Sequence, residues 1–299
     1  MSLHREATWA ARGRALLRLA LFVALFVPLW LAVAGLAAWL APRLVGTGMP
    51  ALLSVQGIGM LVAALVAGWL VLALVERQPP AALGFGLRRP IAAELGLGLA
   101  LGVGMLVAVL LPLLLTGRIA FVGEPGTFGG VMAAWAGGLV LLALPAAAEE
   151  ALFRGYPFRA MVQAFGAPGA VLALSALFAI AHANNPAVGE LALLNIVLAG
   201  VLLSLAFLWT GSLWFATGLH LGWNWAVGSL ADLPVSGLTF LNTPGYEPRD
   251  AGPGWLTGGA FGPEGGLAGS VAFAIGTIGV YLLHRRRLRV EKEGERIES

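Results

Sequence analysis

Eight stretches of the chain, 19–41, 51–75, 95–116, 129–148, 169–183, 190–209, 213–231 and 266–284, hold between them one Asp, Glu, Lys or Arg side chain, Glu190. A helix crossing about 30 Å of hydrocarbon needs roughly 20 apolar residues. Most of the stretches meet that length, while the fifth is short for a full crossing. The alternating pattern of a barrel strand is absent and the apolar runs are uninterrupted, so helices are expected. Of 299 residues, 59% are hydrophobic and 11% charged, with a mean hydropathy of +0.87. A soluble domain carries about 25% charged residues. The expectation is an all-α, polytopic helical membrane protein of about eight transmembrane helices, forming one integral membrane domain over 1–299 with a charged tail at 285–299.

The basic residues give an orientation. With the N-terminus inside, Arg5, Arg12, Arg14, Arg18, Arg77, Arg88, Arg89, Arg154, Arg159, Arg285, Arg286, Arg287, Arg289, Lys292 and Arg296 fall on the inner side, and Arg43, Arg118 and Arg249 on the outer, 15 against 3. This positive-inside bias supports an even number of spans with both termini cytoplasmic. The first run exceeds the usual 7–15-residue core of a signal peptide, so a retained first helix is expected. Lys292 is the one lysine, a bias that fits a GC-rich bacterial genome and so the bacterial inner membrane. The pI near 9.9 reflects arginines in loops and at the ends, and no nucleic-acid partner is expected. Membrane lipid is. With no cysteine in the chain, disulfides, thiolate zinc sites and a cysteine nucleophile are excluded.

Ionisable groups inside such spans are expensive and point to function. They are few. Glu149, Glu150 and Arg154 close the fourth span, His182 ends the fifth, and His220 with Asn224 lies in the seventh. Glu150 and Arg154 share a helical face at i, i+4 and can pair, and an interfacial anchor is the plainer account of them. Glu149 points about 100° away and has no basic partner at helical spacing, which leaves its charge free for base duty. Phe178 and His182 share one face, as do His220 and Asn224. Alone, each histidine reads as a helix–helix hydrogen-bond donor, and Trp223 and Trp225 read as members of an interfacial belt. Together, a carboxylate, two histidines and an amide are the groups needed to activate water against a carbonyl.

HExxH and GxSxG are absent from the sequence, and Ser175 is expected to make a helix-internal bond rather than act as a nucleophile. By composition Glu149, His182 and His220 match a His₂Glu zinc set, although no i, i+4 histidine pair supports tight binding. Two other readings stand beside a hydrolase: a proton-coupled transporter or channel using the buried Glu and His, and a non-catalytic immunity or scaffold protein.

EEALFR, FAIAH and HLGWN fit EExxxR, FxxxH and HxxxN, and in that order they resemble the CPBP family of intramembrane proteases. That family includes type II CAAX prenyl endopeptidases and Abi proteins tied to bacteriocin processing and self-immunity. EEALFRGYPFRAM, SALFAIAHANNP, GSLWFATGLHLGWNW and GGAFGPEGG carry the likeness further. The resemblance implies hydrolysis of a peptide or protein substrate within the membrane by a four-helix catalytic core, approximately 129–231, open toward the cytoplasm. Glu149 would activate water with help from His182, His220 and Asn224 would hold the oxyanion, and Glu150, Arg154 and Phe178 would support them. A bacterial chain has no obvious prenylated client, so CAAX cleavage itself is not assumed.

Straight helices do not bring these residues together. Glu149 would sit at the inner end of its span, His182 roughly 20 Å across and His220 roughly 10 Å in. A kink at Pro145, or a dip of residues 155–168 into the bilayer, is needed. The segment 232–265 is long enough to be a structured cap.

Overall fold

A computed structural model describes residues 9–44, 48–86 and 90–298. Each apolar run becomes a long helix: α1 (Trp9–Leu44), α2 (Met49–Val71), α3 (Ile91–Leu115), α4 (Phe128–Phe153), α5 (Tyr156–Ala181), α6 (Glu190–Thr210), α7 (Leu213–Trp225) and α9 (Leu267–Glu298), with a single-turn α8 (Gly254–Thr257) before the last. π-helical turns extend α2 through Leu72–Glu76 and α7 through Ala226–Leu230. Among the described residues six helical segments are long and apolar enough to cross a membrane, and one of them, 128–181, contains both α4 and α5. The chain is a multi-pass, all-α membrane protein.

The fourth and fifth spans differ from expectation. Helix α4 does not stop where charge begins but runs on to Phe153, turns at Arg154 and Gly155, and resumes at once as α5. Helix α5 is itself broken at Gly166, whose φ of 75° and ψ of 170° suit a residue without a Cβ. A straight helix would hold residues 154 and 178 roughly 36 Å apart, yet the Arg154 guanidinium lies 4.6 Å from the Phe178 ring. The chain therefore reverses at Gly166. Residues 156–165 continue the fourth crossing, and 167–181 return as the fifth, close to the 169–183 read from sequence.

Ion pairs gather several helix ends on one face. Glu76, after α2, lies 3.7 Å from Arg18 and 3.4 Å from Arg159 and accepts from the Tyr156 hydroxyl at 2.7 Å. Glu94, in the first turn of α3, meets Arg287 of α9 at 2.9 Å. On the other face strand β1 (Ile119–Gly123) pairs antiparallel with β2 (Tyr246–Asp250), in register Ile119 to Asp250. That ribbon ties the α3–α4 connection to the segment after α7, so both lie on one side, as alternating crossings require. Arg5, Arg88 and Arg89 lie outside the described residues. Arg154 is fully buried and belongs to no loop, which leaves 14 basic residues against 3 in the orientation argument.

Helices α3 and α7 approach through glycine. A Cβ on Gly98 would strike the carbonyl of Phe215, and one on Gly102 that of Leu219. In return, Gly218 and Gly222 lie against the carbonyls of Leu95 and Leu99. With four side chains missing from the seam, the backbones meet directly, and α7 is held at a fixed depth and azimuth. The seam is continuous with the main apolar core, in which Met105, Leu219, Trp223 and Phe273 pack together.

The 232–265 segment is a cap. Asn195 of α6, buried, donates from Nδ2 to the carbonyls of Glu264 and Gly266, both at 2.8 Å, and its Oδ1 accepts from Ser270 at 2.6 Å. Asn185 reaches the Ser236 carbonyl at 2.9 Å.

Candidate active site

The extended α4 carries Glu149 and Glu150 past the point where the apolar run ends and into the interior of the bundle. Glu150 and Arg154 are fully buried. Arg154 Nη1 donates to Glu150 Oε1 at 3.1 Å and its Nη2 to the Gly200 carbonyl at 3.1 Å, while the rings of Phe153 and Phe178 cover the guanidinium. The pair is therefore not an interfacial anchor. It is a charge buried deep in the protein, tolerable because it is bonded on several sides.

Glu150 also has a second partner that sequence reasoning missed. His220 Nδ1 lies 2.9 Å from Glu150 Oε1. A carboxylate only accepts, so Nδ1 carries the proton, and Nε2 of the neutral ring bears a lone pair. Nε2 faces Glu149 Oε2 across 3.8 Å, too far for a direct hydrogen bond. Glu149 Oε2 has no hydrogen-bond partner among the described residues.

His182 caps the C-terminus of α5. Its Nδ1 is 2.8 Å from the Phe178 carbonyl, which fixes the proton on Nδ1 and leaves Nε2 as the acceptor. Phe178 packs against both histidines, with ring centroids 4.7 Å from His182 and 6.1 Å from His220. Asn224, one turn beyond His220, makes no hydrogen bond with another described residue. Glu149, His182, His220 and Asn224 all line one cavity of about 100 Å³, together with Pro145, Phe178, Asn185, Ser236 and Glu264. Asn185, Ser236 and Glu264 come from connecting segments; Asn185 lies in the SALFAIAHANNP stretch and Glu264 in GGAFGPEGG, while Ser236 has no sequence signal.

Three smaller readings are corrected. Trp223 and Trp225 do not form a headgroup belt, since their indole N–H groups donate inward, to Glu264 Oε1 and the Trp135 carbonyl, both at 2.8 Å. Ser175 Oγ makes no helix-internal bond and is buried without a partner against Gly200. Among the described residues no three of His, Cys, Asp and Glu converge as a metal-ion set. Glu149, His182 and His220 share a cavity wall without converging as such a set.

A family model for type II CAAX prenyl endopeptidase Rce1-like proteins matches residues 131–226. A comparison with curated proteins gives no match. The matched domain runs from α4 to the end of α7 within the larger helical protein, and it contains every residue of EEALFR, FAIAH and HLGWN.

Proposed function

We propose that the chain is an intramembrane endopeptidase in which Glu149 activates a water molecule. The observation that carries this reading is the 3.8 Å gap between Glu149 Oε2 and His220 Nε2, which lets one water bond both atoms. It lies in a cavity that His182 and Asn224 also line.

As the water oxygen adds to the scissile carbonyl carbon, Glu149 takes its proton. The developing oxyanion is held by the Asn224 amide, while Glu150 keeps Nδ1 of His220 oriented so that its neutral Nε2 accepts the other hydrogen of the attacking water. His182, with Nε2 free to accept and return a proton, passes the proton from Glu149 to the departing amine. The C–N bond breaks, leaving a carboxylic acid and an amine. Preorganisation comes from rigid helices rather than loops. By the arginine distribution the face bearing Glu76 and Glu94 is cytoplasmic, whereas Ser236 and Glu264, which wall the cavity, come from the cap on the opposite face.

A proton pathway is less well supported, because the groups converge on one cavity instead of stepping across the bundle. The test is cleavage of an internally quenched apolar peptide by purified protein in lipid. Glu149→Gln is expected to abolish cleavage while the protein remains inserted and folded. Cleavage by that variant at the wild-type rate would falsify the assignment.

A further inference from the structure

Three carboxylates withdrawn from water among the described residues have basic partners, and Glu264 does not. Glu76 has Arg18 and Arg159, Glu94 has Arg287, and Glu150 has Arg154 and His220. Glu264 is 4% exposed, and among the described residues no basic side chain pairs with it. Its oxygens accept only neutral donors, Trp223 Nε1 at 2.8 Å and Ser236 Oγ at 2.5 Å. A carboxylate has about four lone-pair sites, so each oxygen keeps capacity to spare. A buried charge without a counter-ion is costly.

The cap goes to some length to hold this group in place. Glu264 sits in a 3₁₀ turn (Pro263–Gly265) that follows Gly262, whose φ is 88° and whose Cβ would strike the Pro234 carbonyl. Asn195 holds the backbone on both sides of the turn. The side chain reaches the same cavity wall as Glu149, His182, His220 and Asn224, and no lysine or arginine lines that cavity. The nearest arginine to the site, Arg154, is consumed by Glu150 and Gly200. The two histidines that line the cavity, His182 and His220, do not bond Glu264, so the counter-charge is left to the molecule that enters.

We propose that Glu264 is a specificity-determining residue that holds a positively charged group, an alkylammonium or guanidinium, of the bound peptide. The proposal rests on the endopeptidase reading and adds a substrate class to it: an apolar segment with one basic residue or a free amino terminus. A carboxylate inside the cavity, whether an acidic side chain or a chain end, is disfavoured by the same charge.

The experiment measures binding, so that it is separable from hydrolysis. Full-length Glu149→Gln protein in detergent micelles is titrated with three fluorescent apolar peptides. The first is N-acetylated with one lysine walked along it, the second is N-acetylated with norleucine in place of lysine, and the third is the norleucine peptide with a free amino terminus. Binding to a cationic peptide is expected to be roughly tenfold tighter, the scale of a hydrogen bond to a charged group. The lysine and free-amine arms tell the two sources apart. Adding Glu264→Gln should bring the ratio to about one, and Glu264→Asp, which keeps the charge, should preserve most of it. Equal affinities in the Glu149→Gln protein, or a preference that survives Glu264→Gln, overturn the assignment. The first of these needs no change at 264 and stands whether or not the double variants fold. Charge-selective binding without cleavage by the wild type would sink the protease reading alone. Cleavage without charge preference would sink the Glu264 assignment alone.

Discussion

His220 Nδ1 and Glu150 Oε1 are 2.9 Å apart across 70 residues of sequence, and the same oxygen takes Arg154 Nη1 at 3.1 Å. One buried carboxylate thus joins the arginine that compensates it to the histidine that faces Glu149. In the proposed mechanism Glu150 orients His220 and never touches substrate.

Replacing Glu150 by Gln keeps the size of the side chain but removes the charge between two donors. A buried ion pair broken on one side costs about 3–5 kcal/mol, so thermal stability should fall. Because His220 also loses its orienting partner, kcat in the surviving folded protein should drop by on the order of 100-fold or more, with KM little changed. Turnover per folded molecule is the deciding measurement. A value near the wild type would restrict Glu150 to stability.

The glycine seam makes a matched pair of predictions on one helix. Gly98→Ala places a methyl group into the backbone of α7, whereas Gly104→Ala meets nothing within 4 Å. Overpacking costs about 1–3 kcal/mol, and relief of a mid-helix glycine gains about 0.5–1 kcal/mol. Gly98→Ala should therefore lower the melting temperature and, by displacing α7, the activity. Gly104→Ala should hold or raise stability. If the two variants melt together, the seam does not hold α7.

The helices were legible because the apolar runs are long and nearly uncharged, and six segments among the described residues have the length and composition of a crossing. The end of the fourth was not. Glu149, Glu150 and Arg154 look like a membrane boundary, but Glu150 bonds Arg154 and His220, and Arg154 bonds the Gly200 carbonyl, inside the protein, so the crossing continues through residue 165. The FGAPG turn that reverses the chain carries its signal in a glycine and a proline, and its consequence, Phe178 beside Arg154, appears only in three dimensions. Four residues that line the cavity, Glu149, His182, His220 and Asn224, could be named from three short motifs. The bond between Glu150 and His220 could not, because nothing local links positions 70 apart. Trp223 was read as a belt residue since its partner, Glu264, arrives from a distant cap.

The cap should respond to acid in a definite direction. Burial is the main cause that holds the Asp232 carboxyl above the usual carboxylate range; Glu247 adds to it and the Thr243 N–H opposes it. A carboxyl with a raised native pKa binds its proton more tightly folded than unfolded. Its contribution is therefore most favourable below its ordinary value and declines as pH climbs through the raised one. Asp232→Asn should be more stable than wild type at neutral pH, and the difference should shrink as the pH falls. Asn suits the positive φ of 51° at this position and can still accept from the Thr243 N–H. Thermal unfolding at several pH values checks it, and a stability gap that widens in acid would contradict the assignment.

The reversal at Gly166 and the proposed orientation predict a labelling pattern, which a chain without cysteines makes simple to read. Phe165 lies at the end of the continued fourth crossing and is exposed, as is Gln78 after α2. Glu124, beside the β-ribbon, is exposed on the opposite face. Single cysteines at these positions meet a membrane-impermeant maleimide in right-side-out and inverted vesicles. Phe165→Cys and Gln78→Cys should react in inverted vesicles only, and Glu124→Cys in right-side-out vesicles only. A straight α5 would place residue 165 within the hydrocarbon. In that case Phe165→Cys would react in neither preparation, and the path that brings Phe178 and His182 to Glu149 would be wrong. If the sides are exchanged for all three, the reversal stands and the proposed orientation does not.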